Sequence, residues 1–320
     1  MFYYLLAGKS SALYTLYMAI SVLGTFGITF VCLKLFKGIL PKDQGRAFAV
    51  NGALSEGKPR GAGLLLLTAF VLSAALFVPL DLETIIYLVC IYAAMLTGYF
   101  DDAAEKPWGN LKKGLFDLAI ALGVAFTSWH FHGTDIYVHL ISKSFTIPAP
   151  VYIILAAVLV WTAINVTNCS DGVDGLCSSL VMTVLVPLFI LCGKSRTDST
   201  LIIVMFLCLC AYLWFNCSPS KMLMGDAGSR ALGVFLAVMF LKSSAPFTFI
   251  PFAIVIILDG GLGLLKLSFR RFLKWKNFME GIRTPLHDHA RKNKGWSDTQ
   301  VVTRFVIIQI VVTFAYMCIV

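Results

Sequence analysis

Carboxylates stand at the ends of several apolar stretches of this chain, in three short motifs. The motif GYFDDAAEK contains Asp101 and Asp102, NVTNCSDGVDGL contains Asp171 and Asp174, and KMLMGDAGS contains Asp226. A carboxylate at a membrane boundary is costly unless it meets a cation, a partner charge or a substrate. Oxygen ligands suit Mg²⁺, which in turn suits phosphates. Together the motifs predict a magnesium-dependent site for phosphoryl transfer, where the protein mainly positions reactants and neutralises charge.

Asp171 and Asp174 are three residues apart, with Gly172 between them and Asn165 and Asn168 before them. In a helix this spacing puts both carboxylates on one face, and the glycine lets the backbone approach a ligand closely. The same polar turn could simply cap the helix that follows it. Four polar side chains exceed what a cap requires, so the motif favours a substrate-binding site.

The pair Asp101 and Asp102 is predicted to end a helix. Adjacent side chains of a helix cannot face the same way, so one carboxylate can reach a substrate while the other meets a ligand or cation. A solvated helix end is the alternative, but the helix dipole disfavours negative charge at a C-terminus. Lys112 and Lys113 follow and are candidates for holding a phosphate, although either one is equally well explained as a cytoplasmic topology lysine.

His287 and His289 lie in a long basic loop, within TPLHDHARKNKGW. Neutral or protonated, they could bind a pyrophosphate or steady a leaving phosphate. The basic stretch SFRRFLKWKNF that precedes them is better explained as an amphipathic surface helix.

Composition indicates an all-α polytopic membrane protein, read as one domain over residues 1–320. Hydrophobic residues make up 58% of the 320 residues and charged residues 13%, whereas a soluble domain carries about 25% charged residues. A short hairpin or surface helix is expected at about 131–150. Ten apolar stretches have the length of a transmembrane helix, namely 12–33, 61–80, 84–100, 114–131, 151–167, 175–193, 199–215, 231–246, 248–265 and 301–320.

The distribution of basic residues predicts the orientation. Most of the 26 lysines and arginines fall in one alternating set of loops, and cytoplasmic loops carry that excess. Both termini are therefore expected outside, with the acidic motifs at the cytoplasmic face. The formal charge of +9 is then mostly a consequence of topology, and no nucleic-acid partner is expected. The same cations would attract anionic substrates and membrane lipids.

Four motifs in this order carry a resemblance to a known family. The runs GYFDD, NxxNxxDGxDGL, NxxPxKxxMGDxGS and TPLHDHARKNKGW resemble those of the polyprenyl-phosphate N-acetylhexosamine-1-phosphate transferases. Within that superfamily the chain is most similar to the phospho-N-acetylmuramoyl-pentapeptide transferases. The loop LPKDQGRAFAVNGALSEGKPRGAG and the ending KGWSDTQVVTRF extend the resemblance over nearly the whole chain.

The resemblance implies transfer of phospho-MurNAc-pentapeptide from UDP-MurNAc-pentapeptide to undecaprenyl phosphate, giving lipid I and UMP for peptidoglycan synthesis. It also implies a Mg²⁺-dependent homodimer in the bacterial cytoplasmic membrane, with Asp226 as the metal ligand. Together with the motifs above, it gives as catalytic candidates Asp101, Asp102, Asp226, His287 and His289. The substrate-binding candidates are Lys112, Lys113, Asn165, Asn168, Asp171, Gly172, Asp174, Asn216 and Leu223.

The chain departs from the family pattern at three places. Asp288 replaces the middle member of a histidine triple, and Leu223 stands where an aromatic residue usually stacks on uracil, which suggests weaker or rearranged base packing. The loop 42–60 departs from the common threonine-proline pattern.

Two other functions remain open at this point. A GlcNAc-1-phosphate transferase would share the acidic motifs; the loop 270–300 would discriminate, and the KGWS ending favours the muramoyl-pentapeptide substrate. A secondary transporter could use Asp117 and Asp259 in an ion path, but the inverted repeats and interrupted midplane helices typical of such proteins are not found in the sequence.

Overall fold

The computed structural model describes residues 11–45, 55–275 and 277–319. Residues 46–54 of the loop 42–60, the first residues of the chain and the last residue of the final predicted span lie outside the described residues. Twelve α-helices occur in the part described, numbered α1 to α12 in chain order: Ser11–Phe36, Gly63–Phe77, Leu82–Asp102, Asn110–His132, Ala149–Cys169, Leu176–Leu191, Arg196–Asn216, Gly225–Lys242, Phe249–Phe252, Ile254–Phe272, Leu286–Lys294 and Asp298–Ile319.

The all-α polytopic membrane fold is confirmed. Among the described helices, six are long and apolar enough to cross a membrane (α1, α3, α4, α5, α7 and α12). A seventh span results if the bent pair Pro246–Phe252 and Ile254–Phe272, which meet at 89°, is counted as one. The apolar helices α2 and α6 are shorter, and α8 carries charged residues along its length. Each of the ten predicted spans overlaps a helix, but the count of ten crossings and the orientation remain predictions.

The hairpin expected between α4 and α5 is confirmed. Strands β1 (Asp135–Val138) and β2 (Lys143–Thr146) pair antiparallel. The backbone N–H of Tyr137 donates to the carbonyl of Ser244 at 2.8 Å, just beyond the last residue of α8. The hairpin therefore lies at the opposite end of α8 from Asp226.

A cluster of charged side chains joins four helices at this same end. Lys242 Nζ lies 2.8 Å from Glu83 Oε1 and 3.2 Å from Asp198 Oδ1, and His132 Nε2 lies 2.6 Å from Glu83 Oε1. These residues come from the first turns of α3 and α7 and the last turns of α4 and α8. The cluster fixes the relative height of the helices whose other ends carry the acidic motifs.

Helix α8 is the central helix of the bundle. Its residues from Gly225 to Leu241 are all buried, the charged Asp226 and Arg230 included, so other helices enclose it on every side. A Cβ atom built on Gly98 of α3 would lie 2.3 Å from the backbone oxygen of Asp226. The backbones of α3 and α8 are therefore as close as small residues allow, and this contact sets the position of Asp226 relative to the end of α3.

The break between α9 and α10 is stabilised by a buried glutamine. Gln309 of α12 donates from Nε2 to the carbonyl of Pro251 at 3.1 Å and accepts at Oε1 from the N–H of Val255 at 2.9 Å. Backbone groups freed by a helix break at membrane depth need such partners. The break turns α10 toward the acidic motifs.

We expect Gly98→Ala to destabilise the protein, because the added methyl group would push α3 away from α8 and overpacking typically costs about 1–3 kcal/mol. The matched control is Gly27→Ala on α1, where an added Cβ has no atom within 4 Å. The midpoint of thermal unfolding in detergent should fall for Gly98→Ala alone. Equal midpoints for the two variants would contradict the close contact.

Candidate active site

One polar cavity of about 450 Å³ lies where several helices end or begin. It lies beside the end of α5, the start of α6, the end of α7, the start of α8, part of α11 and the first residue of α12. The loop before α2 closes one side. Its walls comprise Asp43, Ser55, Lys58, Arg60, Asn168, Asp171, Gly172, Val173, Asp174, Asn216, Ser218, Pro219, Ser220, Leu223, Met224, Gly225, Asp226, Arg291 and Asp298.

Lys113 joins two of the predicted catalytic carboxylates. Its Nζ lies 2.5 Å from Asp101 Oδ2 and 3.1 Å from Asp226 Oδ2. Asp101 also accepts from the backbone N–H of Trp108 at 2.6 Å. The structure thus brings together the ends of α3 and α8 with the first turn of α4. Lys112, by contrast, is exposed and stands over the ring of Trp108, 3.4 Å from its centroid, outside the cavity.

Arg60 joins the other carboxylate of the pair to the same site. Its Nε donates to Asp102 Oδ1 at 2.9 Å and Nη1 donates to Asp43 Oδ1 at 3.1 Å, while Nη2 lies 3.9 Å from Asp226 Oδ1. Burial disfavours the charged guanidinium, but the charges of Asp102, Asp226 and Asp43 outweigh it and raise the pKa of Arg60. Arg60 was missed from sequence, although it is a basic residue in the loop that enters α2.

The side chains of the two adjacent aspartates diverge, but both meet a cation, whereas one of them was predicted to face a substrate. Asp102 also accepts from the N–H of Ala227 at 3.0 Å. This contact requires Gly225, which has φ +72° and where a Cβ would lie 2.2 Å from Asp102 Oδ2. Only glycine combines that backbone conformation with so close an approach. Neither Asp101 nor Asp102 is among the cavity-lining residues; Lys113 and Arg60 connect them to Asp226.

Asp174 and Asn216 hold the far wall of the cavity in place. The backbone N–H of Ser220 donates to Asp174 Oδ2 at 2.9 Å, and that of Gly175 donates to Asn216 Oδ1 at 2.9 Å. Residues 171–175 form a turn rather than a helix, and α6 begins at Leu176. The helical-face reasoning for Asp171 and Asp174 was therefore wrong in its geometry, because the carboxylate of Asp174 and the left-handed Gly175 shape a turn.

The remaining predicted substrate residues fall on both sides of the cavity boundary. Asn168, Asp171, Gly172 and Leu223 line it, and Asn168 Oδ1 accepts from Ser229 Oγ at 2.9 Å. Asn165 does not line it. Its Nδ2 donates to the carbonyl of Trp161 within α5 at 2.8 Å, one turn further from the cavity.

His287 approaches the cavity from α11 but is buried. Its backbone N–H donates to Asp259 Oδ1 at 2.8 Å, and its Nδ1 lies 2.9 Å from Asp259 Oδ2. The other ring nitrogen faces Gly172, because a Cβ on that glycine would lie 2.2 Å from Nε2. His289 instead accepts at Nδ1 from the N–H of Arg283 at 3.3 Å and does not line the cavity.

Arg291 is a further site residue that sequence reasoning missed. Its Nη2 donates to the carbonyl of Gly172 at 3.0 Å and to Asp288 Oδ1 at 2.7 Å, and Nη1 donates to Asp298 Oδ1 at 3.3 Å. Asp288, the departure from the histidine triple, therefore holds this arginine at the cavity wall.

Asp226, the predicted metal ligand, lines the cavity. No group of three or more His, Cys, Asp or Glu side chains that could hold an ion occurs within the described ranges. Mg²⁺ is usually bound by one or two carboxylates together with waters and substrate phosphates, not by an all-protein cage. Asp226 shares the cavity wall with Asp43, Asp171, Asp174 and Asp298, and one or two of these carboxylates would suit that mode. The ammonium group of Lys113 contacts Asp226 Oδ2 and would share this carboxylate with the ion.

A second ion pair lies one helical turn behind the first. Asp117 follows Lys113 by four residues on α4, and Arg230 follows Asp226 by four residues on α8; Arg230 Nη2 contacts Asp117 Oδ1. The side chain of Arg230 is 1% exposed. Asp117 and Asp259, which were considered for an ion path, thus contact Arg230 and His287 respectively.

Comparison with known proteins gives consistent matches. Residues 84–244 match the family described as glycosyl transferase family 4. A phospho-N-acetylmuramoyl-pentapeptide-transferase of Treponema pallidum (strain Nichols) is 36% identical over 317 residues, covering 92% of this chain and 87% of the relative. Similarly named proteins of Wolbachia sp. subsp. Drosophila simulans (strain wRi) and Dictyoglomus thermophilum (strain ATCC 35947 / DSM 3960 / H-6-12) are 27% and 28% identical. They cover 79% and 91% of the chain, and the matches span 81% and 96% of those proteins.

We expect Asp117→Asn to destabilise the protein by about 3–5 kcal/mol, because it leaves the Arg230 guanidinium buried without a counter-charge. The control is the double variant Asp117→Leu/Arg230→Met, which removes both charges and should recover much of that loss. The free energy of unfolding of each variant is measured in detergent. A double variant as unstable as Asp117→Asn would mean that the uncompensated charge is not the cause.

Proposed function

The chain belongs to the phospho-N-acetylmuramoyl-pentapeptide transferase family, and we propose that it transfers phospho-MurNAc-pentapeptide from UDP-MurNAc-pentapeptide to undecaprenyl phosphate. The products are lipid I and UMP, in peptidoglycan synthesis at the bacterial cytoplasmic membrane. The carrying observation is the group of Asp101, Asp102 and Asp226, held by Lys113 and Arg60 beside a polar cavity at the end of apolar helices. We further propose a homodimer, as the resemblance implies.

The reaction needs little covalent chemistry from the protein. An oxygen of the lipid phosphate attacks the β-phosphorus of the UDP-sugar, and the bond from that phosphorus to the bridging oxygen breaks, so that UMP leaves with the electron pair. A phosphate monoester is already largely dianionic near neutral pH, with a second pKa of about 6. The main barrier is the approach of two anions, which Lys113 and Arg60 lower by their positive charge. Asp101, which does not line the cavity, holds the ammonium group of Lys113 in place.

Direct attack is favoured over a covalent phospho-sugar enzyme. A nucleophilic carboxylate would have to approach the pyrophosphate free of its partners. Asp101 and Asp226 both contact Lys113, and such ion pairs make a carboxylate less available for bond formation. In the proposed reaction these residues orient the acceptor and the cations.

The proposed cofactor is Mg²⁺ with Asp226 as its protein ligand, since one carboxylate at the cavity wall suits an ion completed by phosphates and waters. When bound, the ion supplies neutralisation of the pyrophosphate charge. The nucleotide is proposed to occupy the cavity against Asn168, Asp171 and Leu223. Asp174 and Asn216 shape that wall through the backbone N–H groups of Ser220 and Gly175.

An apolar groove of about 480 Å³ between α4 and α5 is the proposed seat of the start of the prenyl tail. Its lining begins at Asn110, Leu111 and Gly114, next in sequence to Lys113, and continues along Leu115, Leu118, Leu122, Ile154, Ala157, Val158 and Trp161. From residue 114 to 122 a helix rises about 12 Å, so only the first part of the tail fits. A phosphate at Lys113 would thus have its tail leave toward the membrane.

We expect Asp226→Asn to reduce turnover to below a few per cent of wild type, because it removes the negative charge that binds Lys113 and the proposed Mg²⁺. The measurement is UMP release in detergent from UDP-MurNAc-pentapeptide with a polyprenyl phosphate. The control is the same substitution at an exposed carboxylate outside the site, Asp135→Asn on the hairpin, which should keep wild-type turnover. Near-normal turnover of Asp226→Asn at saturating Mg²⁺ would remove Asp226 from the mechanism. If the wild type releases UMP in the presence of a polyprenyl phosphate from UDP-GlcNAc but not from UDP-MurNAc-pentapeptide, the protein is a GlcNAc-1-phosphate transferase instead.

We expect Gly114→Leu to raise the KM for undecaprenyl phosphate several-fold with little change in the KM for the UDP-sugar. An added Cβ at Gly114 has no atom within 4 Å, so the side chain fills the groove without straining the fold. A short-chain prenyl phosphate should be affected as much, because the groove holds only the first part of the tail. The control Gly27→Leu on α1 should change neither KM. An unchanged KM for undecaprenyl phosphate in Gly114→Leu would place the tail elsewhere.

A further inference from the structure

A second polar cleft lies on the other side of α11 from the candidate active site. It encloses about 470 Å³, and its lining includes Lys266 and Arg270 of α10, Arg283 and Glu280 of the following loop, and Asn293 of α11. None of these residues lines the first cavity. The proposed transfer reaction uses none of them.

The charge of this cleft favours an anionic ligand. The cleft contains three cationic side chains, those of Lys266, Arg270 and Arg283, and one carboxylate, that of Glu280. Within the described residues, no carboxylate forms an ion pair with the guanidinium of Arg270 or of Arg283. Lys266 Nζ donates to the carbonyl of Ile282 at 2.6 Å, which fixes one cation at the wall. Two guanidinium groups and an amide are the donors that bind phosphate oxygens.

The surroundings of the cleft indicate that the anion belongs to a lipid. Leu267 both lines the cleft and is 68% exposed. Further along the same segment Phe272, Leu273 and Trp275 are exposed, at 76%, 64% and 56%, and alternate with arginines and lysines. Exposed aromatic and aliphatic side chains among basic residues, at the end of a helix that is apolar before them, are typical of a segment at the membrane–water boundary.

We propose that this cleft binds the head-group phosphate of an anionic phospholipid, with Arg270 and Arg283 as its main contacts. Basic pockets at the cytoplasmic end of membrane helices suit such head groups. The acyl chains would run along Leu267 toward the membrane. Because Asn293 lies on α11, and α11 also carries His287 and Arg291, a bound head group would steady the helix that forms one wall of the candidate active site.

The adjacent arginines 270 and 271 provide a matched test. Arg270 lines the cleft, whereas Arg271 does not line it and lies over the ring of Phe272. In detergent free of polyprenyl phosphate, the full chain is titrated with phosphatidylglycerol or phosphatidylcholine, and bound lipid is counted by native mass spectrometry. We expect Arg270→Gln/Arg283→Gln to lower the affinity for phosphatidylglycerol about tenfold or more, and Arg271→Gln/Lys274→Gln to change it little.

Three further arms separate the sources of the anion. Inorganic phosphate at the same concentration should neither stabilise the wild type against heat nor displace the lipid, and displacement would instead assign the site to a free phosphate. Equal binding of the two lipids, or equal losses in both double variants, would overturn the proposal in favour of diffuse attraction. An Arg270→Gln/Arg283→Gln variant with normal lipid binding but a raised KM for UDP-MurNAc-pentapeptide would assign the cleft to the peptide carboxylates, and the proposal would fail.

Discussion

Three carboxylates and two cations meet where α3, α4 and α8 end or begin, and the rest of the site depends on how these charges are paired. Two unit charges 4 Å apart interact by about 4 kcal/mol at an effective dielectric constant of about 20. Lys113 neutralises Asp101 and Asp226 together, and Arg60 binds Asp102 while approaching Asp226. Removing one member therefore changes the partners of all the others. Arg60 also binds Asp43, so four carboxylates meet two cations, and this excess of carboxylates suits a site that recruits a metal ion and then anionic substrates.

The same pairing also sets the alignment of α4 and α8. On α4 a cation precedes an anion by one turn, and on α8 an anion precedes a cation by one turn, so Lys113 meets Asp226 and Asp117 meets Arg230. A shift of either helix by one turn would bring charges of the same sign together. Since α8 is enclosed in apolar surroundings, such a shift would leave buried charges unpaired at a cost of several kcal/mol. The ion pairs thus fix the position of α4 along α8, which apolar contacts alone would specify poorly.

Much of the fold could be predicted from the sequence, because hydropathy and helix length are local properties. Nine of the ten apolar stretches overlap a single α-helix, whereas the prediction of one unbroken span at 248–265 was wrong, because the chain is divided there into α9 and α10. Of the hairpin and the surface helix that were expected at about 131–150, the structure has the hairpin. The meeting of the acidic motifs could also be predicted, since carboxylates at the same ends of membrane helices have few other places to go. The contribution of Arg60 could not be predicted, because the sequence around a loop arginine does not show whether its side chain faces water or three aspartates. Likewise, Asp259 looked like an isolated charge inside a span until the fold brought His287 to it.

The break between α9 and α10 changes the direction of the chain before it reaches the site. An uninterrupted helix from residue 246 to 272 would continue in one direction. The chain instead bends by 89°, and Gln309 bonds the backbone groups that the bend leaves unpaired. The bend places Asp259 beneath α11, where its carboxylate contacts both the backbone N–H and the ring of His287. It also leaves the basic and aromatic end of α10 on the surface. One side of α11 therefore contacts Gly172 through Arg291, and the other faces a basic cleft flanked by exposed apolar residues. A contact made at the membrane surface would act on the cavity wall through a helix only nine residues long, which is short enough to move as a unit.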